Sequence, residues 1–259
     1  MDKKVILISI DGMRPDGFLK CGHPFIRELM KTSTYTLTGR TCVPSVTLPC
    51  HMSMFHGVAP ERHGILTNDY VPPVQPVRGL FEKIRAAHGV SAFFYGWEPL
   101  RDIGAPDTLK YAAYINAYKE ESADTLLTDY AIHLLENRDI DFCFLYQVDT
   151  DERGGHECGW MSEGYLKRVY IAVDNARRVI EKFGDRYSVV ITADHGGHDR
   201  THGTELPEDM TIPMFFRGPA FEQGKERDDL SILDIAPTVA DLFGLDPEPE
   251  WSGKSLVRH

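Results

Sequence analysis

The sequence predicts an α/β fold, a doubly wound, mostly parallel central sheet with helices on both faces. Short apolar runs rich in β-branched and aromatic residues recur along the chain, the texture of strands buried on both faces of a parallel sheet. Segments of helical period lie between them, and that alternation is what winds such sheets. A third observation points to function: three of the runs end in acidic residues. In doubly wound sheets, ligands bind at the carboxyl ends of the strands.

In chain order, VILISI (5–10) is followed at once by Asp11. SAFFYG (91–96) and DFCFLYQV (141–148) are the next runs, the latter leading to Asp149 and Asp151. YSVVITA (187–193) leads to Asp194 and His195, and TIPMFFRG (211–218) completes the set. Between them lie the helical segments GLFEKIRAAHG (79–89), ADTLLTDYAIHLLENR (123–138) and EGYLKRVYIAVDNARRVIEKFG (163–184). The first and third end in Gly, a common helix terminator. One domain spanning 1–259 is expected from the length, with no internal repeat and no disorder beyond the ends.

Composition narrows the function classes. A net charge of −11 argues against a nucleic-acid polymer as partner, since affinity for phosphate backbones comes from clustered Lys and Arg. The apolar run after MDKK is too short for the core of a signal peptide, and no window approaches the roughly 20 apolar residues of a membrane span. The five cysteines lack metal or disulfide spacing. A reduced, cytoplasmic protein without membrane contact is the expectation.

Four segments carry chemistry. In SIDGMRPD (9–16), Asp11 either caps a turn or, beside two similar strand ends, binds a metal. In TCVPSVTLPCHMSMFHGVAPERHGI (41–65), Thr47 precedes an apolar-periodic run with Pro49 in its first turn, which places it at or near a helix N-cap. A hydroxyl there, at the positive end of a helix and next to a metal, suits a nucleophile toward phosphorus. In VDTDERGGHECGW (148–160), Asp149, Asp151, Glu152 and His156 surround a Gly-Gly turn, donors that suit zinc or manganese. ITADHGGHDRTHGTELPEDM (191–210) adds His195, His198 and His202 with Asp194, Asp199 and Asp209. Gly196 and Gly197 make it a loop rather than a helix.

Together, IDGMRPD, PSVTLPCHMSMFHGVAPERHGILTN, DERGGHECGW, ADHGG, THGTELPEDMTIP and SILDIAPTVADLFGL with GKSL resemble the alkaline phosphatase superfamily, and most closely its nucleotide pyrophosphatase/phosphodiesterase branch. The resemblance implies a two-metal phosphoric ester hydrolase, a phosphodiesterase or nucleotide pyrophosphatase acting on a small phosphate ester through a covalent intermediate on threonine. The cofactor it implies is a pair of divalent ions, zinc or else manganese. One would be held by Asp11, Asp194 and His195 beside the Thr47 oxygen, the other by Asp151, His156 and His202. Thr47 in T-L-P-C-H matches the nucleophile of the family's T-F-P-N-H. Asn68 and the backbone N–H of Leu48 match the contacts to a non-bridging phosphoryl oxygen.

The chain departs from the family pattern in two places. Cys50 replaces an Asn and is expected to pack rather than react. The family sets its Asp four residues before the His, where this chain has Glu152; a one-residue insertion at Gly154-Gly155 keeps Asp151 as ligand, with Glu152 and Asp149 as alternatives. His198 and Asp199 are expected to orient the metal-bound imidazoles, and Asp209 to be structural. A phosphomonoesterase, phosphonate hydrolase or phosphomutase are the rivals within the superfamily, and a non-catalytic metal-binding protein the rival outside it. A sulfatase is disfavoured, because CVPSV (42–46) has Val where that branch needs Arg. The places of Arg14, Arg62 and Arg101 bear on monoester or diester preference, and Trp97-Glu98 is a candidate pocket wall.

Overall fold

The computed structural model describes residues 4–258, so the charged start of the chain and its last residue lie outside the described part. Eight strands form one sheet: β1 (Val5–Ile10), β2 (Thr34–Arg40), β3 (Ser91–Tyr95), β4 (Tyr111–Tyr114), β5 (Phe142–Gln147), β6 (Ser188–Thr192), β7 (Thr211–Arg217) and β8 (Lys225–Glu226). Their order across the sheet is β4-β3-β5-β1-β6-β7-β2-β8. Only β7 runs against the rest, antiparallel to both β6 and β2. The strands read from sequence are β1, β3, β5, β6 and β7. The short edge strand β4 and the threonine-rich β2 carry too little apolar signal to stand out.

The helices are α1 (Pro15–Lys20), α2 (Phe25–Thr32), α3 (Thr47–His56), α4 (Pro60–His63), α5 (Leu80–Ala86), α6 (Ala123–Asn137), α7 (Glu163–Phe183), α8 (Pro207–Met210) and α9 (Ile235–Leu242). Alternation along β5 shows how they divide over the sheet. Phe144 and Tyr146 place their rings against His51 of α3, whereas Gln147 bonds Ala172 and Asn175 of α7. Period-2 strands turn successive side chains to opposite faces, so α3 and α7 cover the two sides of one buried sheet.

Register then decides what meets at the carboxyl edge. Ile10 of β1 lies opposite Gln147 of β5, and Ser9 lies opposite Thr192 of β6. The residues that follow, Asp11, Val148 and Ala193-Asp194, therefore leave the sheet side by side.

Thr47 lies next to the N-cap of α3, within the expected bounds: Val46 is the N-cap, in extended conformation, and Thr47 is the first helical residue, its hydroxyl not used in capping. The Gly-Gly segment differs from expectation, since it is not a tight turn. Thr150–Cys158 forms a π-helix, and its i→i+5 spacing brings Asp151 and His156 onto one side across one inserted residue.

Trp160 fixes the distance between the two ligand-bearing loops. Its indole N–H donates to Gly12 O at 2.9 Å, and its ring lies where a Cβ on Gly155 or Gly197 would sit. Neither glycine has a positive φ; both are required by close approach. Gly197→Ala should force the indole out and cost about 1–3 kcal/mol, the usual range for overpacking. In urea unfolding the midpoint should fall with the slope unchanged, and a midpoint equal to the parent's would show that Trp160 is not wedged.

Candidate metal centre

Three aspartates from three strand ends meet beyond the sheet edge. Asp11 is 2% exposed, Asp151 7% and Asp194 0%. Each keeps one carboxylate oxygen buried with no hydrogen-bond partner: Asp11 Oδ1, Asp151 Oδ1 and Asp194 Oδ2. The other oxygens are held. Tyr146 donates its hydroxyl to Asp11 Oδ2. The N–H groups of Gly12 and His195 donate to Asp194 Oδ1 at 3.2 and 2.9 Å. Asp151 Oδ2 lies 3.3 Å from His156 Nε2.

The imidazoles repeat a single arrangement. His195 Nδ1 is 2.7 Å from Gly196 O, His202 Nδ1 is 2.9 Å from Ser45 O, and His156 Nδ1 is 2.9 Å from Arg200 O. A backbone carbonyl only accepts, so each Nδ1 carries a proton and each ring turns its Nε2 inward; burial keeps His195 neutral, so that its Nε2 presents a lone pair, whereas His156 Nε2 shares a proton with Asp151. His195 Nε2 faces Asp11 Oδ1 at 3.3 Å and Asp194 Oδ2 at 3.4 Å, while His202 Nε2 faces Asp151 Oδ1 at 3.9 Å. At His195 a lone pair thus faces two carboxylates, which requires either protons or a cation between them. The orphaned oxygens and the donor set fit divalent metal.

Two compact donor groups result, Asp11–Asp194–His195 and Asp151–His195–His202, each with its ligand atoms within 4.8 Å of one another. His195 belongs to both, its ring stacked on His202 with centroids 3.9 Å apart. His156 stands at the rim of the second group, against Asp151, rather than inside it.

Burial pushes Asp11 well above the carboxylate range, with the charges of Asp194 and Asp151 adding to the effect. Burial likewise raises Asp194 to about 8, helped by Asp151, and lowers His195 to about 3. His156 goes the other way, drawn up to about 9 by its hydrogen bond to Asp151.

Thr47 Oγ1 lies 3.2 Å from His195 Nε2, beside the first group. Leu48 donates its N–H to Asn68 Oδ1 at 3.0 Å. Cys50 is fully buried, its sulfur 3.2 Å from the Thr41 hydroxyl and 3.5 Å from the Cys42 sulfur. It packs, as expected.

Of the three carboxylates weighed in sequence, Asp149 is engaged by Arg153 and Arg168 and Glu152 by the Tyr118 hydroxyl, so the favoured Asp151 alone joins the donor groups. The expectation for the neighbouring loop needs correction. His198 does not brace a ligand imidazole; its Nδ1 bonds Asp209 Oδ1 at 2.7 Å, and Asp199 is exposed on a left-handed turn. Asp209 is structural, also accepting from the Thr204 N–H and hydroxyl. Glu98 pairs with Arg101 beside a partly buried Trp97. Arg14 bonds Asp16 and Gly197 O, Arg62 bonds Glu250 and Gln75 O, and Arg101 also reaches Asp102. Among the described residues, no Lys or Arg pairs with Asp11, Asp151 or Asp194.

Sequence reasoning missed His51 and Tyr146. His51 bonds Ser9 and Thr47 O, with Nδ1 3.4 Å from Asp194 Oδ2. Each is an apparently ordinary core position until the register sets it under the carboxylates. Its spacing of four from Thr47, one helical turn, is the available signal for His51.

The profile of the family described as type I phosphodiesterase / nucleotide pyrophosphatase matches residues 5–210. The chain belongs to that family. Relatives of this phosphodiesterase-family chain include a 2,3-bisphosphoglycerate-independent phosphoglycerate mutase of Clostridioides difficile (strain 630), 28% identical over 150 residues, covering 54% of this chain and 28% of that protein. Ectonucleotide pyrophosphatase/phosphodiesterase family member 3 of Rattus norvegicus is 24% identical over 218 residues, covering 74% of the chain and 24% of that protein. The matched part is thus under a third of either relative's length. Among solved structures, murine ectonucleotide pyrophosphatase/phosphodiesterase 5 superposes with TM-score 0.83 at 16% identity, covering 98% of this chain and all of that one. A phosphonate monoester hydrolase from Silicibacter pomeroyi gives 0.74 at 15% identity, covering 98% and 75%. At such identities the likeness is one of fold, an alkaline phosphatase-like sheet.

No helix among the described residues is long and apolar enough to cross a membrane.

The raised Asp194 and His156 set a pH dependence for metal uptake. Below about 8 and about 9 respectively these groups hold protons that a cation must displace. Zinc or manganese binding at pH 7 should therefore release protons, and affinity should climb between pH 6 and 9 and then level. Calorimetric titration in buffers of differing ionisation enthalpy reads the proton count directly; pH-independent binding without proton release would contradict the assignment.

Proposed function

We propose that this chain is a metal-dependent phosphodiesterase, of nucleotide pyrophosphatase type, that transfers the phosphoryl centre of a small ester to Thr47 and then to water. The observation that carries this reading is the convergence of orphaned carboxylate oxygens and inward-facing Nε2 atoms beside a helix-start hydroxyl. Asp11, Asp194 and His195 would hold one divalent ion next to Thr47, and Asp151, His156 and His202 the other. Carboxylate and imidazole donors without thiolate suit zinc, with manganese as the alternative. When bound, such a pair neutralises the anionic ester, lowers the pKa of the attacking oxygen and stabilises the leaving one.

The chain's own groups supply the rest. Thr47 Oγ1, having lost its proton to solvent, forms the new bond to phosphorus as the bond to the leaving alkoxide breaks and that alkoxide takes a proton from water, and its position at the first turn of α3 puts the nucleophile's charge at the helix's positive end. The Leu48 N–H and the Asn68 amide, already in contact, turn to a non-bridging oxygen when substrate arrives. Both are neutral donors. With no Lys or Arg among the described residues paired to the donor groups, the site suits the single negative charge of a diester better than the double charge of a monoester.

Thr47→Ala should fold, retain its metals and lose turnover of bis-p-nitrophenyl phosphate by on the order of 10⁴-fold or more, the scale on which enzymes lose rate when a nucleophile is removed. Near-full turnover in that variant would remove Thr47 as nucleophile. The parent protein should hydrolyse the diester faster than p-nitrophenyl phosphate; the reverse order would make it a monoesterase.

A further inference from the structure

The π-helix that presents Asp151 and His156 begins at a point pinned by a residue from another element. Asp124, in the first turn of α6, is 5% exposed. Its Oδ1 accepts the Val148 N–H at 3.0 Å and its Oδ2 accepts the Asp149 N–H at 2.9 Å. These are the last two amides before the π-helix. The same Val148 turns its carbonyl forward to accept from the N–H groups of Asp151 and Glu152 at 3.0 and 3.2 Å. One carboxylate thus fixes the peptide planes from which the Asp151 side chain departs.

We propose that Asp124 is a positioning residue for the Asp151–His156–His202 donor set. The inference rests on the two-metal reading above. The chemistry requires a carboxylate: two converging N–H donors need two acceptors, and an amide offers one acceptor and a donor that would oppose the second N–H. Holding it there is costly. Burial raises the Asp124 carboxyl to about 7, against the two backbone donors and Arg153 that lower it and Asp149 that raises it. A buried carboxylate kept without a basic side chain bonded to it has its use in aiming the loop it caps. The Asp11–Asp194–His195 group hangs from β1 and β6, and the side-chain hydrogen bonds of Asp124 go to Val148 and Asp149 instead, so its affinity should depend far less on this residue.

The test is cobalt(II) or zinc titration of metal-free parent, Asp124→Asn and His202→Ala proteins, followed by bound-metal analysis. The parent should bind two ions. Asp124→Asn should keep one at near-parental affinity and bind the other about 10- to 100-fold more weakly, the range for residues that orient ligands. The surviving site should match, in its cobalt spectrum, the one surviving in His202→Ala. A folded Asp124→Asn protein that binds both ions at parental affinity, or weakens both equally, overturns the proposal. Should Asp124→Asn fail to fold, Asp124→Glu, which keeps two acceptors but shifts them by a methylene, is held to the same two outcomes. A parent that binds fewer than two ions defeats the two-metal reading, and the role of Asp124 with it.

Discussion

The structure turns on one electrostatic constraint: hydrogen-bond acceptors face one another at its buried edge. Three imidazoles are fixed by backbone carbonyls so that Nε2 points inward, and three aspartates meet them with oxygens that have no hydrogen-bond partner among the described residues. Burying charge without a partner is among the costliest arrangements a fold can contain. The protein maintains it because each donor is held by a neighbour that cannot be rearranged cheaply: Tyr146 under Asp11, Gly12 and His195 amides on Asp194, the stacked His202 on His195. Rigid presentation of mutually repelling donors is what a preorganised cation site requires.

The scaffold explains why those donors coincide. In-register pairing of β1 with β5 and β6 delivers Asp11, Asp149–Asp151 and Asp194 to one edge without any long loop. The loops that follow then need a spacer, and Trp160, wedged against Gly12, Gly155 and Gly197, is that spacer. The nucleophile candidate arrives from the opposite direction, on α3, whose His51 is also tied to Ser9 of β1. Strand and helix are therefore locked to each other within one helical turn of Thr47.

Much of this was legible in the chain. Apolar runs ending in acidic residues are local patterns, and they located three strand ends and the wound sheet; the family resemblance then pointed to Asp11, Asp151, Asp194, His195 and His202, which the structure brings together. What sequence could not carry is direction and pairing. The run 211–218 reads like its neighbours, yet β7 is antiparallel, since hydropathy does not encode strand polarity. His198 looked like a ligand brace by proximity in sequence and instead bonds Asp209, because its loop folds back onto α8. The inserted residue near Gly154-Gly155 was visible as an irregular spacing. Its accommodation as a π-helix, and the distant carboxylate of Asp124 that caps it, depend on tertiary contacts across many residues.

The central claim, that facing acceptors are held apart for two cations, is tested most directly by anomalous diffraction from crystals of the zinc-loaded protein. Two peaks about 4 Å apart are expected for such a pair, one among Asp11, Asp194 and His195 beside Thr47, the other among Asp151, His156 and His202. A single peak shared through His195, or none at full loading, would contradict it.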